Sequence, residues 1–322
     1  MAKRPSKTHK TFKRTYREDY VRKTEIPGII SHLLSSLKII FKNWKLFLPF
    51  ILLIIVLNCI LVGLMSQETY NQFQDLLNQT EESMATGKVS NSVKAGLLLI
   101  STVTTGGLTL HMSDVQSVFS VILFLLIWLV TIFILRQVMA KRKIKLRDAL
   151  YNSTTPLIST FAVLAVVLIQ CIPIFLVVVA YSAAIETNFL STPFYALVFF
   201  IFAALMIILS AYLLSSSLIA LVSVTAPGLY PIRALNIASD LMASRRIKFI
   251  LRLIGFIIAI AIIWVVIMLP LILFDMWMKT FEWAANIPFI PICLLTMTVF
   301  TGVYFTSYIY LYYRMLLDYE EK

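Results

Sequence analysis

Six long apolar runs dominate this chain: Leu46–Met65, Val115–Leu135, Leu157–Tyr181, Phe194–Val222, Phe249–Phe274 and Ile287–Tyr313. A helix rises about 1.5 Å per residue, so about 20 residues cross the roughly 30 Å of bilayer hydrocarbon. The last four runs exceed that length and are expected to tilt or to emerge above the interface. No charged residue or histidine lies deep inside any run; Arg136 and Asp275 stand at run ends and Arg252 in the first turn of the fifth. With 60% hydrophobic and 14% charged residues, an ordinary soluble domain is excluded. The pattern predicts an all-α, polytopic membrane protein with six transmembrane helices.

Charge sets the expected orientation. Of 28 Lys and Arg residues, 25 fall on one side of such a bundle, and only Lys88, Lys94 and Lys279 on the other. The 16 acids divide 8 and 8, as a rule driven by basic residues alone requires. Both termini are therefore expected in the cytoplasm of a multi-pass cell-membrane protein. The same bias explains the net charge of +12 without a nucleic-acid partner. Residues 1–25 are basic and poor in apolar side chains, so they are expected to be a disordered tail drawn to an anionic inner leaflet. Residues 26–315 form the membrane domain and 316–322 a short cytoplasmic tail. No cleavable signal peptide is visible. Cys59, Cys171 and Cys293 all fall inside spans, which argues against a disulfide framework or a thiolate metal site.

The basic segments carry helical patterns of their own. Ile30, Leu33, Leu34, Leu37, Ile40, Phe41 and Trp44 recur at i, i+3, i+4 spacing, opposed by Ser31, His32, Ser35, Lys38 and Lys42. Ala234, Leu235, Ala238, Leu241 and Met242 do the same opposite Arg233, Asn236, Asp240 and Arg245, and a shorter set runs from Ile144 to Leu150. These predict three amphipathic helices lying at the interface, each leading into a span. Ser36 and the following Lys42–Leu48 align with Ser239 and Arg245–Leu251, and Leu146–Leu150 resembles Ile232–Leu235. The chain thus reads as three copies of one unit, an interfacial helix and two spans, giving a possible threefold internal repeat. The outer segment 66–114 is the longest soluble stretch. Its apolar second half is expected to form a hairpin or shallow cap, because a seventh span would break the charge rule.

No catalytic constellation is present. His9, His32 and His111 lack partners at metal spacing, and no nucleophile elbow, P-loop or HExxH pattern occurs. No cofactor is expected. The spans hold only neutral polar groups at depth, which counts against ion-coupled transport. Gln170, three residues before Pro173, is the best intramembrane polar candidate, since proline deprives the Ile169 carbonyl of its helical partner. Thr298, Gly302 and Thr306 form a small-residue face expected to close the bundle, and Tyr304, Tyr308, Tyr310, Tyr312 and Tyr313 are expected to form an aromatic belt at the interface. The candidates for lipid headgroups are Lys143, Lys145, Arg147, Arg233, Arg245, Arg246 and Lys248. These define membrane lipids as the expected partners, with a protein partner left open.

The stretch Ala226-Pro227-Gly228-Leu229-Tyr230-Pro231-Ile232-Arg233-Ala234-Leu235, followed by Ser239 and Arg245-Arg246, resembles the six-span membrane domain that precedes some bacterial glycerophosphodiester phosphodiesterases and occurs in related stand-alone membrane proteins. The resemblance implies a membrane module rather than an enzyme activity, for the chain has no soluble phosphodiesterase domain. It departs from the pattern at Ala243-Ser244, where those proteins commonly carry glycine. The same helix is similar to the coupling helix of ABC-importer permeases, although the glycine of that motif is missing. A non-enzymatic, lipid-interacting scaffold or helper in membrane or envelope processes is therefore the expected role, with a permease subunit served by a separate ATPase as the alternative.

Overall fold

The computed structural model describes residues 28–62, 114–187, 189–243, 245–278 and 289–320. The expectations for the basic tail and for nearly all of the outer segment 66–114 lie outside the described residues. The rest is helical: α1 (Ile29–Lys42), α2 (Trp44–Leu61), α3 (Asp114–Met139), α4 (Leu146–Ser153), α5 (Leu157–Gln170), α6 (Ile172–Glu186), α7 (Pro193–Ser223), α8 (Pro231–Met242), α9 (Arg246–Met278) and α10 (Phe289–Glu320). Six spans are long and apolar enough to cross a membrane, α5 and α6 together making one of them. The chain is an integral, multi-pass membrane protein. Helix α10 runs on to Glu320, through what reads in sequence as a short tail.

Local chemistry explains the joints. After α3, Lys141 takes a left-handed backbone (φ 56°) and Arg142 N–H returns to Gln137 O, closing the helix end in the six-to-one manner of a Schellman motif. After α7, Pro227 and Gly228 (φ 81°) fill the middle of a turn closed by Leu229 N–H to Ala226 O; proline then glycine is what a type II turn demands. Pro231 then opens α8, where its missing N–H costs nothing. The third span breaks at Cys171, because Pro173 has no N–H to give: Ile174 and Phe175 both bond to Cys171 O.

The long helices obey a threefold plan. The second spans of the three units, α3, α7 and α10, run in the same direction at the centre: Trp128 Nε1 donates to Leu221 O, and its ring lies 6.3 Å from that of Phe305. Gly302 faces Ile127 across α3–α10, where an added Cβ would find ordinary contact at 3.6 Å. The first spans, α2, α5–α6 and α9, pack outside them. Each short helix packs on both spans of the unit before it: α4 on α3 and α2, α8 on α7 and α5, and α1 on α10 and α9. The last unit is thereby joined to the first and the ring closes.

The short helices also bury equivalent positions. Counting from each first residue, the fourth and eighth are His32 and Ser36, Ala149 and Ser153, and Ala234 and Ala238, all buried. This places Ser36 opposite Ala238 rather than Ser239, and likewise Phe47 opposite Phe249, both 1% exposed. The structural register of the repeat therefore differs by one residue from the sequence alignment of Ser36 with Ser239. Residues at i and i+4 share a helix face, so small side chains in this row let the short helix seat closely on its neighbour.

Candidate functional site

At the end where α3, α7 and α10 converge, basic and aromatic side chains meet. Arg136 of α3 donates to Thr225 O (3.0 Å) and Thr225 Oγ1 (2.8 Å) just past the end of α7, neutralising the negative pole of that helix. Sequence reading missed this role, because an arginine at a span end looks the same whether it snorkels or reaches across. Four of the five tyrosines expected to form an interfacial belt instead point inward, Tyr304, Tyr308, Tyr310 and Tyr312 being 2% exposed or less, while Tyr313 is half-buried. Tyr304 Oη donates to Leu33 O and Tyr308 Oη to Arg252 O, both at 3.1 Å. Burying a phenol without a partner costs a hydrogen bond, and the backbones of α1 and α9 supply one for each of these two.

His32 corrects the expected polar face of α1. It is 2% exposed, with its Nε2 3.1 Å from Tyr308 O and its ring 4.3 Å from that of Tyr308. The other four residues of that face, Ser31, Ser35, Lys38 and Lys42, are exposed as expected, and Ile30, Leu34 and Phe41 are exposed beside them. In a membrane protein apolar groups suit the lipid side and polar groups seek partners within. Burial pushes the His32 pKa down to about 4, aided by the charge of Arg252 and opposed by the hydrogen bond with Tyr308 O.

The seven headgroup candidates divide. Lys143, Lys145, Arg147, Arg233 and Lys248 are exposed. Arg246 turns inward: it bonds Ser239 Oγ at 3.1 Å and lies 4.3 Å from the centre of the Tyr212 ring, a cation–π contact. Arg245 is half-buried, with a guanidinium nitrogen sealed from solvent. The cause is the tight joint between α8 and α9, which brings Arg246 back against α8 and α7.

Gln170 ends α5 at the break. Its backbone carbonyl accepts Ser210 Oγ from α7, and its side-chain Oε1 is buried without a hydrogen-bond partner among the described residues. The interhelical bond at this site is thus made by the main chain that the break exposes, not by the amide. Nearer the basic end, a cleft of about 570 Å³ opens between α2 and α4, walled by apolar side chains with Arg147 at its edge. Among the described residues no group of His, Cys, Asp or Glu is placed to hold a metal ion. No family model matches the chain, and neither does any curated protein or any solved structure.

Proposed function

We propose that this chain is a non-enzymatic cell-membrane protein, its termini cytoplasmic, that binds anionic lipid of the inner leaflet as a scaffold or helper in membrane or envelope processes. On this reading it is a stand-alone relative of the six-span phosphodiesterase-associated module. The observation that carries it is the set of exposed bases on and beside the short helices: Lys143, Lys145 and Arg147 around the start of α4, Arg233 on α8 and Lys248 at the start of α9. Each base near a charged leaflet contributes about 1 kcal/mol of attraction.

The test uses the full chain in lipid discs. Changing Lys143, Lys145, Arg233 and Lys248 to Gln leaves 21 basic residues on the expected inner side (25 minus 4) against 3 outside, so orientation survives. The thermal stabilisation given by phosphatidylglycerol over phosphatidylcholine should fall and lose its salt sensitivity. An unchanged lipid response would overturn the proposal, as would turnover of a phosphodiester or peptide substrate.

A permease subunit is the second reading. It draws on Tyr230 and Ile232, exposed at 76% and 75% at the start of α8, an apolar pair suited to docking a separate ATPase. An ATPase bound by the wild type and released by Ile232→Asp would favour it.

A further inference from the structure

The ring of units contains a joint that the chain fills with its own side chain and an equivalent joint that it leaves open. Where α1 meets α9, the first residue of the short helix, Ile29, packs on the tenth residue of the span, Gly255. A Cβ at Gly255 would lie only 3.0 Å from Ile29 Cγ2, so the absence of a side chain there is what lets α1 seat. Where α4 meets α2, the same two positions are Leu146 and Leu53. Two leucines cannot approach as isoleucine and glycine do. The space between the helices remains as an open, shallow groove of about 570 Å³.

Its chemistry is two-part. Leu52, Leu53 and Val56 of α2 face Leu146 and Leu150 of α4, and the one charged lining residue is Arg147. The Arg147 side chain is 93% exposed, and its one ion pair among the described residues is a loose 3.9 Å approach to Asp148. Lys143 and Lys145, also exposed, stand immediately before α4. Hydrocarbon walls edged by a guanidinium, on a segment that also carries two exposed lysines, match a molecule with an apolar tail and an anionic head. Guanidinium pairs with phosphate through two parallel hydrogen bonds.

We infer that the α2–α4 cleft holds one acyl chain of an anionic phospholipid, with its phosphate at Arg147. The bound chain fills the space that Leu146 and Leu53 hold open between the two helices. This rests on the lipid-binding reading above but names a site that reading does not need.

The experiment is native mass spectrometry of the full-length protein with added phosphatidylglycerol or phosphatidylcholine. One phosphatidylglycerol should be retained in preference to phosphatidylcholine. Arg147→Gln should weaken that retention about fivefold or more, and Val56→Trp, at a position 53% exposed, should abolish it by filling the cleft. Lys38→Gln, at an exposed position on α1 outside the candidate bases, should leave it unchanged. No preference for phosphatidylglycerol, or a retained lipid indifferent to Arg147→Gln and Val56→Trp, overturns the inference. If the four-base variant still loses its disc stabilisation while the cleft variants behave as wild type, only the cleft assignment fails. If neither set responds, both fail.

Discussion

Arg136 and Thr225, 89 residues apart in sequence, are joined by two hydrogen bonds from one guanidinium, to the carbonyl and to the hydroxyl of the same residue. The pair ties the end of α3 to the end of α7 and so links the first unit to the second. Charge-assisted bonds of this kind contribute about 1.5–3 kcal/mol each. Arg136→Gln should lower the thermal unfolding midpoint in detergent by several degrees. Arg136→Lys should fall in between, because an ammonium lacks the fork geometry. A midpoint unchanged in Arg136→Gln would show that the pair contributes nothing to stability.

The Ile29–Gly255 contact predicts a change of sign. Alanine at Gly255 gains up to about 1 kcal/mol of helix propensity but drives its Cβ to 3.0 Å from Ile29 Cγ2. Overpacking of that kind costs about 1–3 kcal/mol. Gly255→Ala should therefore destabilise the wild type and become neutral or stabilising in an Ile29→Ala background. Purely additive effects in the double-mutant cycle would count against close seating of α1.

His32 predicts a pH dependence. Its folded pKa of about 4 lies below the ordinary histidine value of 6.5, so the unfolded chain binds the extra proton more readily. Stability contributed by neutral His32 is complete above the unfolded pKa and is lost as pH falls from about 6.5 toward 4, with no further loss below. The shift corresponds to at most about 3 kcal/mol. His32→Asn should flatten the unfolding midpoint across that window; an identical pH profile in the variant would exclude His32 as its source.

Orientation is tested by single cysteines in a chain whose native Cys59, Cys171 and Cys293 are replaced by alanine. Thr187→Cys should react with an impermeant thiol reagent in intact cells, and Tyr151→Cys should not. Both positions are exposed, whereas the neighbouring Ser153 is buried and would stay silent on either side. The reverse pattern would invert the proposed topology.

The spans and the three short helices were legible because both rest on periodicity and length, which survive any rearrangement of partners. Which way their faces turn was not. His32 reads as polar in a helical pattern, yet only tertiary packing shows that its partner is a carbonyl on α10 rather than water. The tyrosines of α10 suit an interfacial belt or a packed interior equally well by composition; the backbone acceptors for Tyr304 and Tyr308 lie on α1 and α9, far away in sequence. The repeat was visible, but its register was not, since shifting one apolar segment by a residue still matches leucine with phenylalanine and isoleucine. Only the buried row of α1, α4 and α8 fixes it. The α2–α4 cleft depends on comparing Leu53 with Gly255, a pairing that requires the corrected register.

The closed ring has a consequence for biosynthesis. His32 seats against a residue 276 positions later, and the surfaces of α9 and α10 that receive α1 are translated long after it. At the usual pace of roughly 5–20 residues per second, the first helix leaves the ribosome on the order of tens of seconds before its berth exists. During that interval His32, destined for the interior, lacks the Tyr308 carbonyl it pairs with, while α4 and α8 each emerge after the spans that receive them. Docking of α1 is thus the late step that closes the ring, and an unfinished copy is marked by an α1 still waiting to dock.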